Sequence, residues 1–328
     1  MGTLSALHHR VCLSGLVALT LLAYARVWTL GWAYDDATWL PMTSLPLAAI
    51  ARWPYRLGAW VSDGLPWGTH AIILVLHLAN GGLLWRLARR WLSQNAALLA
   101  LAVFWLHPIN SQAVAYASGG MEVLLTAYAL IALVGLTSDA WIARAGGGVA
   151  LGLALSLKVS ALPLLIGVPV AAASMRGLSW RVGALTVSAG LAGMWMYRAS
   201  LANYLTDVAQ MTTQIAELCT ALVGSIGLVI MPLGLSLVHD WYLTPLALQG
   251  VAVLAVVGAG LLSLTCASWV PFAAWAWIVG LVLPRALAFD MPALTEHHLY
   301  APLLALWLLC GWTADQFSRT AVCPISRI

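Results

Sequence analysis

Charge is scarce in this chain. Of 328 residues only 8% are Asp, Glu, Lys or Arg, where an ordinary soluble domain carries about 25%. That scarcity excludes a water-soluble globular protein. Lysine is rarer still: every basic residue but one is Arg, and Lys158 stands alone inside an apolar stretch. The net charge of +4 is spread over loop arginines, so it reads as a membrane-orientation signal and not as nucleic-acid binding. The five cysteines (Cys12, Cys219, Cys266, Cys310 and Cys323) form no CxxC pair and no metal-ligand spacing. They read as packing residues without redox meaning. No run alternates apolar and polar residues like a lipid-facing barrel strand. Internal repeats, low-complexity tracts and a second soluble domain are also lacking.

What is present is apolar length. The chain is 62% hydrophobic, with a mean hydropathy of +0.91 and long uncharged runs. The expected fold is all-α, a single polytopic transmembrane helical domain over residues 1–328. Eighteen Trp outnumber nine Tyr and four Phe, a bias suited to anchoring at the membrane–water interface.

The first span is expected at residues 11–30, with His8, His9 and Arg10 on the cytoplasmic side. The step Ala23-Tyr24-Ala25 has the small residues of a signal-peptide cleavage site. The apolar run continues past it to Leu30, which suits a retained anchor better. Residues 31–69 hold Asp35, Asp36, Pro41, Pro46, Arg52, Arg56 and Asp63 and read as an interfacial extracytoplasmic loop with short helices. Further spans are expected at 70–87, 96–105, 121–137, 182–197, 247–265, 269–283 and from about 300. Arg86, Arg89 and Arg90 are the strongest cytoplasmic mark. Residues 146–174 are too long for one span and short for two, and read as two short helices meeting on the outer side at Lys158. Residues 199–217 read as a polar outer segment. Hydropathy alone counts 11 crossings. If residues 218–238, interrupted by Gly224, Gly227, Pro232 and Gly234, dip into the outer leaflet, the count is 10 and Arg319 and Arg327 fall inside. The positive-inside rule favours that version.

Six stretches carry chemistry. The pair Asp35-Asp36, at the mouth of the first span, is costly unless it faces water or a polar site. It suits a general base that deprotonates a hydroxyl, or else is an ordinary solvated loop pair. His107-Pro108 ends a span and is also a common helix stop. Glu122 opens the next helix, where the helix dipole favours an acid in any case. Lys158 either snorkels to the interface or supplies a cation for a lipid phosphate. His239-Asp240 and Glu296-His297-His298, with Tyr300 beyond, match no zinc spacing, and phosphate contacts explain them as well. No metal and no other cofactor is expected.

In order, these stretches resemble the membrane part of the transmembrane-and-TPR O-mannosyltransferases, within the C-type (GT-C) glycosyltransferase superfamily. More distantly they are similar to the protein O-mannosyltransferases. The match runs through Tyr34-Asp35-Asp36, Tyr55-Arg56, His70 and His77, Phe104 to Val114, Lys158, Pro232 to Asp240, and Glu296 to Pro302. The chain departs from the family pattern at Leu57, Gln112 (Glu in the family), Gly120 (Arg), Val159 (Glu) and His298 (Arg), and these residues hold no TPR repeats. The resemblance implies a GT-C-like bundle that moves a sugar, typically mannose, from a polyprenyl-phosphate donor to a hydroxyl acceptor on protein, glycan or lipid. It implies transfer with inversion at the outer face of the membrane. Asp35 or Asp36 is the expected base. Lys158 is the expected phosphate ligand, with Arg56, His107, Glu122, Asp240, Glu296, His297, His298 and Tyr300 around the substrate. Membrane lipids are the remaining partners, and the missing repeats point to a bacterial inner membrane. Two rival readings stand beside it: a non-catalytic scaffold or lipid-binding protein that kept the fold, and a transporter. The absence of an inverted repeat speaks against the transporter.

Overall fold

The computed structural model describes residues 2–34, 36, 50–158, 161–165, 167–169, 208–236, 244–266, 268, 270–288 and 295–321. The expected span at 182–197 and the site residues Asp35, Val159 and Asp240 lie outside these.

Among the described residues every regular element is helical. Helix α1 (Gly2–Ala23) is continued by a 3-10 turn, Ala25–Thr29. Helix α2 (Trp53–Val61) is short and has Pro54 in its first turn, where a missing N–H costs nothing. Pro66 starts α3 (Pro66–Ala88) in the same way. Ser93 caps α4 (Gln94–Leu106) by accepting from the Ala96 N–H. After His107 a 3-10 turn (Pro108–Asn110) leads into α5 (Ser111–Ala115), bent 49° from α4. Helices α6 (Gly120–Leu136) and α7 (Trp141–Leu157) form a hairpin. Later in the chain come α8 (Val208–Ile230), α9 (Leu246–Thr265), α10 (Val270–Ala288), a 3-10 turn (Glu296–Leu299) and α11 (Leu303–Ala321).

Four segments are long and apolar enough to cross a membrane: His8–Thr29, Pro66–Ala88, Thr213–Ile230 and Leu246–Thr265. The bent pair of α4 and Pro108–Ala115 is a fifth if counted as one span. Exposure agrees with this. On α9, Leu246, Leu254 and Leu262 are 81%, 73% and 69% exposed, the surface of a helix that faces lipid. Helix α6 is buried along nearly its whole length, as expected of a helix apolar all round at the centre of a bundle.

Residues 208–230 differ from expectation. A polar segment up to 217 does not describe them. Helix α8 runs unbroken from Val208 to Ile230, about 35 Å at 1.5 Å per residue. Gly224 and Gly227 are absorbed within it, since a glycine costs a helix only about 1 kcal/mol. Pro232 and Gly234 lie past its end, and Gly234 has a left-handed φ of 74°.

Contacts sort the helix ends into two groups. At one end His9 bonds Asn95 at 3.4 Å, Arg90 bonds Thr137, and the Ser93 N–H donates to Asp315 at 3.3 Å. Arg10, Arg86, Arg89 and Arg319 are exposed there, and both termini of the described chain lie at this basic end. At the other end, the start of α3, the bend after α4, the start of α6 and the last residues of α7 and α8 come together. Polar residues singled out in the sequence gather at this second end.

The α6–α7 hairpin positions part of that gathering. A Cβ at Gly135 would meet the Ala143 carbonyl oxygen at 2.5 Å, and one at Gly147 would meet the Leu136 nitrogen at 2.9 Å. The two backbones therefore touch, as small residues allow between apolar helices. A Cβ at neighbouring Gly146 meets nothing within 4 Å. Gly147→Leu should destabilise the protein by about 1–3 kcal/mol through overpacking, while Gly146→Leu should not. Melting temperatures of both variants in detergent test this, and equal melting would show that the hairpin is not closely packed.

Candidate functional site

The turn that follows α1 is closed by Asp36. Its N–H donates to the Ala33 carbonyl at 3.0 Å, and its Oδ2 accepts from the Ala33 N–H at 2.9 Å. Its Oδ1 accepts from the Ser118 N–H, at the α5–α6 junction, at 2.7 Å. Asp36 is only 1% exposed. A carboxylate so buried needs donors on its oxygens, and two backbone amides supply them. Between these bonds Tyr34 takes a left-handed φ of 50°, an uncommon conformation for a residue with a side chain. Its exposed ring stands edge-on to Tyr116, with centroids 6.2 Å apart.

At the same end of the bundle lies a charged pair. Lys158 is the C-cap of α7, with extended backbone, and Glu122 sits in the first turn of α6. Each charge suits its helix end. The Lys158 ammonium is ion-paired with Glu122, the side chains being 19% and 5% exposed. The charge of Lys158 is matched across the α6–α7 hairpin, a partner the sequence alone did not reveal. Tyr55 of α2 packs beside the pair and approaches the Ala117 carbonyl at 3.4 Å. Burial pushes its phenol well above the ordinary value, so it stays a neutral donor. A Cβ at Gly120 would lie 2.5 Å from Ile73 and 2.8 Å from the Tyr55 hydroxyl. That close packing accounts for glycine where the resembled family has arginine.

A second cluster joins the bend after α4 to two distant segments. His107 accepts from the Ile109 N–H on Nδ1 at 3.2 Å, so its Nε2–H donates to the Val229 carbonyl at 2.8 Å, tying down the end of α8. Gln112 uses both halves of its amide. The oxygen accepts from the His297 N–H at 2.6 Å, and the nitrogen donates to the Ser236 carbonyl at 3.3 Å. Glu296 accepts from the Ser236 N–H at 2.6 Å. Thr295 caps the 3-10 turn: its hydroxyl meets Nδ1 of both His297 and His298 at 2.8 Å, and its N–H donates to the His298 Nδ1 at 3.2 Å. The Tyr116 ring stacks edge-on against His297 at 5.7 Å, which links this cluster to the Asp36 turn.

Of the expected site residues, Asp36, Lys158, Glu122, His107, Glu296, His297 and His298 thus share one end of the bundle. Arg56 is exposed on α2. Tyr300 faces inward, contrary to its reading as a phosphate contact. It is 1% exposed, donates to His77 Nδ1 at 2.7 Å and accepts from Asn80 at 3.4 Å. The His77 Nε2–H in turn meets the Trp105 carbonyl at 3.3 Å. Asp35 and Asp240 fall outside the described residues. Among the described residues no three His, Cys, Asp or Glu side chains stand close enough to hold a metal. Gln112 and Ser118 join these hydrogen bonds without having been named as candidate site residues. Gln112 carried a signal, as a departure from the family pattern; Ser118, which acts through its backbone, carried none. No protein-family model, curated protein or solved structure matches the chain.

Gln112→Glu, the residue of the resembled family, would lose the donor to Ser236 and set a carboxylate beside Glu296, which holds the same residue. A lost hydrogen bond is worth about 0.5–1.5 kcal/mol, and the like charges add to it. The variant should melt lower than wild type, and more so at low salt. A melting temperature at or above wild type would show that the amide is not used as described.

Proposed function

We propose that the chain is a membrane glycosyltransferase of GT-C type. It moves a sugar, mannose by the family resemblance, from a polyprenyl-phosphate donor to a hydroxyl acceptor. The acceptor oxygen attacks C1 of the sugar from the face opposite the phosphate. The C1–O bond to phosphate breaks, the acceptor proton passes to a carboxylate, and polyprenyl phosphate leaves. The observation that carries this reading is the gathering of Asp36, Lys158, Glu122, His107 and Glu296–His298 from distant parts of the sequence at one end of an apolar bundle. Exposed arginines mark the opposite end as cytoplasmic by the positive-inside rule, so the chemistry faces outward.

The Asp36 geometry divides the labour of the acidic pair. Asp36 is buried, with both oxygens on backbone donors, and is a positioning residue. The base is Asp35. Sequence alone leaves the choice between the two carboxylates open with a lean towards Asp36, which this reading reverses. Lys158 is the cation for the departing phosphate, which competes with Glu122 for it. A non-catalytic lipid-binding relative is the second reading, and the neutralised Lys158–Glu122 pair is what favours it.

Asp35→Asn should lower transfer by on the order of 10²- to 10⁴-fold with melting unchanged, the usual cost of a lost base. Asp36→Asn should lower the melting temperature, because an amide N–H₂ is set against a backbone donor at a cost of about 1–3 kcal/mol. Transfer of radiolabelled mannose from polyprenyl-phosphate mannose, with melting measured in parallel, tests both. Transfer at the wild-type rate by Asp35→Asn would remove the base assignment. Polyprenyl-phosphate binding without any transfer by wild type would put the non-catalytic reading first.

A further inference from the structure

His70 belongs to the first turns of α3 and lies under the Asp36 turn, yet nothing above uses it. It is 1% exposed. By distance and angle neither ring nitrogen has a hydrogen-bond partner, while a backbone group of Gly31 and the Asp36 carboxylate lie near enough to act on the ring. Trp32 lies against it, ring centroids 6.4 Å apart. Gly31 and Trp32 are themselves exposed, and a Cβ added at Gly31 would meet nothing within 4 Å. Among the described residues, the exposed Gly31–Trp32 segment thus lies against the ring. Buried polar groups in native proteins are almost always paired, and each exception calls for an explanation. A neutral imidazole carries one N–H donor and one bare nitrogen acceptor. The chemical group that answers both at once, from one small ligand, is a hydroxyl, singly or as a neighbouring pair.

We propose that His70 is a hydroxyl-binding residue of the site, taking a hydroxyl of the transferred sugar or of the acceptor beneath the Asp36 turn. The inference rests on the glycosyltransferase reading for the identity of its ligand, and on the empty valences of the ring for its existence. A merely packed imidazole gains by becoming apolar, because replacing an unpaired buried polar group by an apolar one of similar shape is neutral or stabilising. A ligand-binding imidazole loses binding by the same change.

The test uses His70→Phe and His70→Gln in full-length protein, together with side-chain nitrogen NMR of ¹⁵N-histidine-labelled wild type. The His70 signal is assigned by its loss in His70→Gln. Three probes are added separately: polyprenyl-phosphate mannose, octyl mannoside, and a Ser/Thr-containing peptide. Either mannose compound moving the His70 signal assigns the site to the sugar, and the peptide alone moving it assigns the site to the acceptor. In both cases His70→Phe should melt no lower than wild type and bind the active probe about tenfold more weakly, equivalent to about 1.4 kcal/mol. His70→Gln, which keeps a donor and an acceptor, should recover part of that loss. No shift with any probe overturns the inference, whatever the variants do, and leaves a trapped water as the partner of the ring. A shift without any sugar transfer by wild type keeps the hydroxyl site and removes the transferase reading instead.

Discussion

The site end of this bundle depends on one buried carboxylate. Asp36 binds its own turn through the Ala33 N–H and the α5–α6 junction through the Ser118 N–H. In an apolar surround an unpaired carboxylate is not tolerated, so the two amides and the acid hold one another in place. From that bond follow the strained Tyr34, the seat of Trp32 over His70, and the alignment of the turn after α1 with the start of α6. Glu122 opens that same helix and meets Lys158 at the end of the next. One acid therefore fixes the frame in which the second acid and the only lysine find each other.

The same device recurs in the second cluster. Glu296 serves the backbone of Ser236, and Gln112 serves both Ser236 and His297. In each case a side chain from one segment completes the backbone of another far away in sequence. Such bonds exist only in the assembled bundle, and they replace the water that a loop at a membrane surface would otherwise use. The departures from the family pattern acquire physical reasons in this setting. Gln112 must donate as well as accept, which a carboxylate does not do. Gly120 leaves room for Tyr55 and Ile73.

Much of the helical frame was legible in the chain. His107-Pro108 punctuates it where α4 ends and the chain bends, and the break at Lys158 follows from a run too long for one span and too short for two. Residues 208–217 were not legible, because Gln, Thr and Glu in the opening turns of a helix look like a polar loop. Gly227 was given too much weight, since its cost is small beside the apolar packing of a 23-residue helix. At the site, residue types were legible and partners were not. Nothing local ties Lys158 to Glu122, or Tyr300 to His77 across more than two hundred residues. Tyr300 follows a Glu-His-His run that reads as exposed, yet the chain turns into the core within two residues of it.

His70 and His77 make the contrast sharpest. They lie seven residues apart on α3, nearly two full turns, and so share one face of the helix. Both are buried. The deeper ring has both nitrogens filled, by Tyr300 and the Trp105 carbonyl, and joins α3 to α4 and the segment after the Glu296 turn. The shallower ring has neither filled. Composition, helix and face are the same, so what separates them is position along the axis: His77 sits where three segments converge, and His70 sits where the bundle ends beneath the Asp36 turn. A fold that completes the hydrogen bonds of the deeper histidine from its own chain, and leaves those of the one nearer the opening to something else, has drawn the boundary between its structural and its ligand-facing polar groups along a single helix.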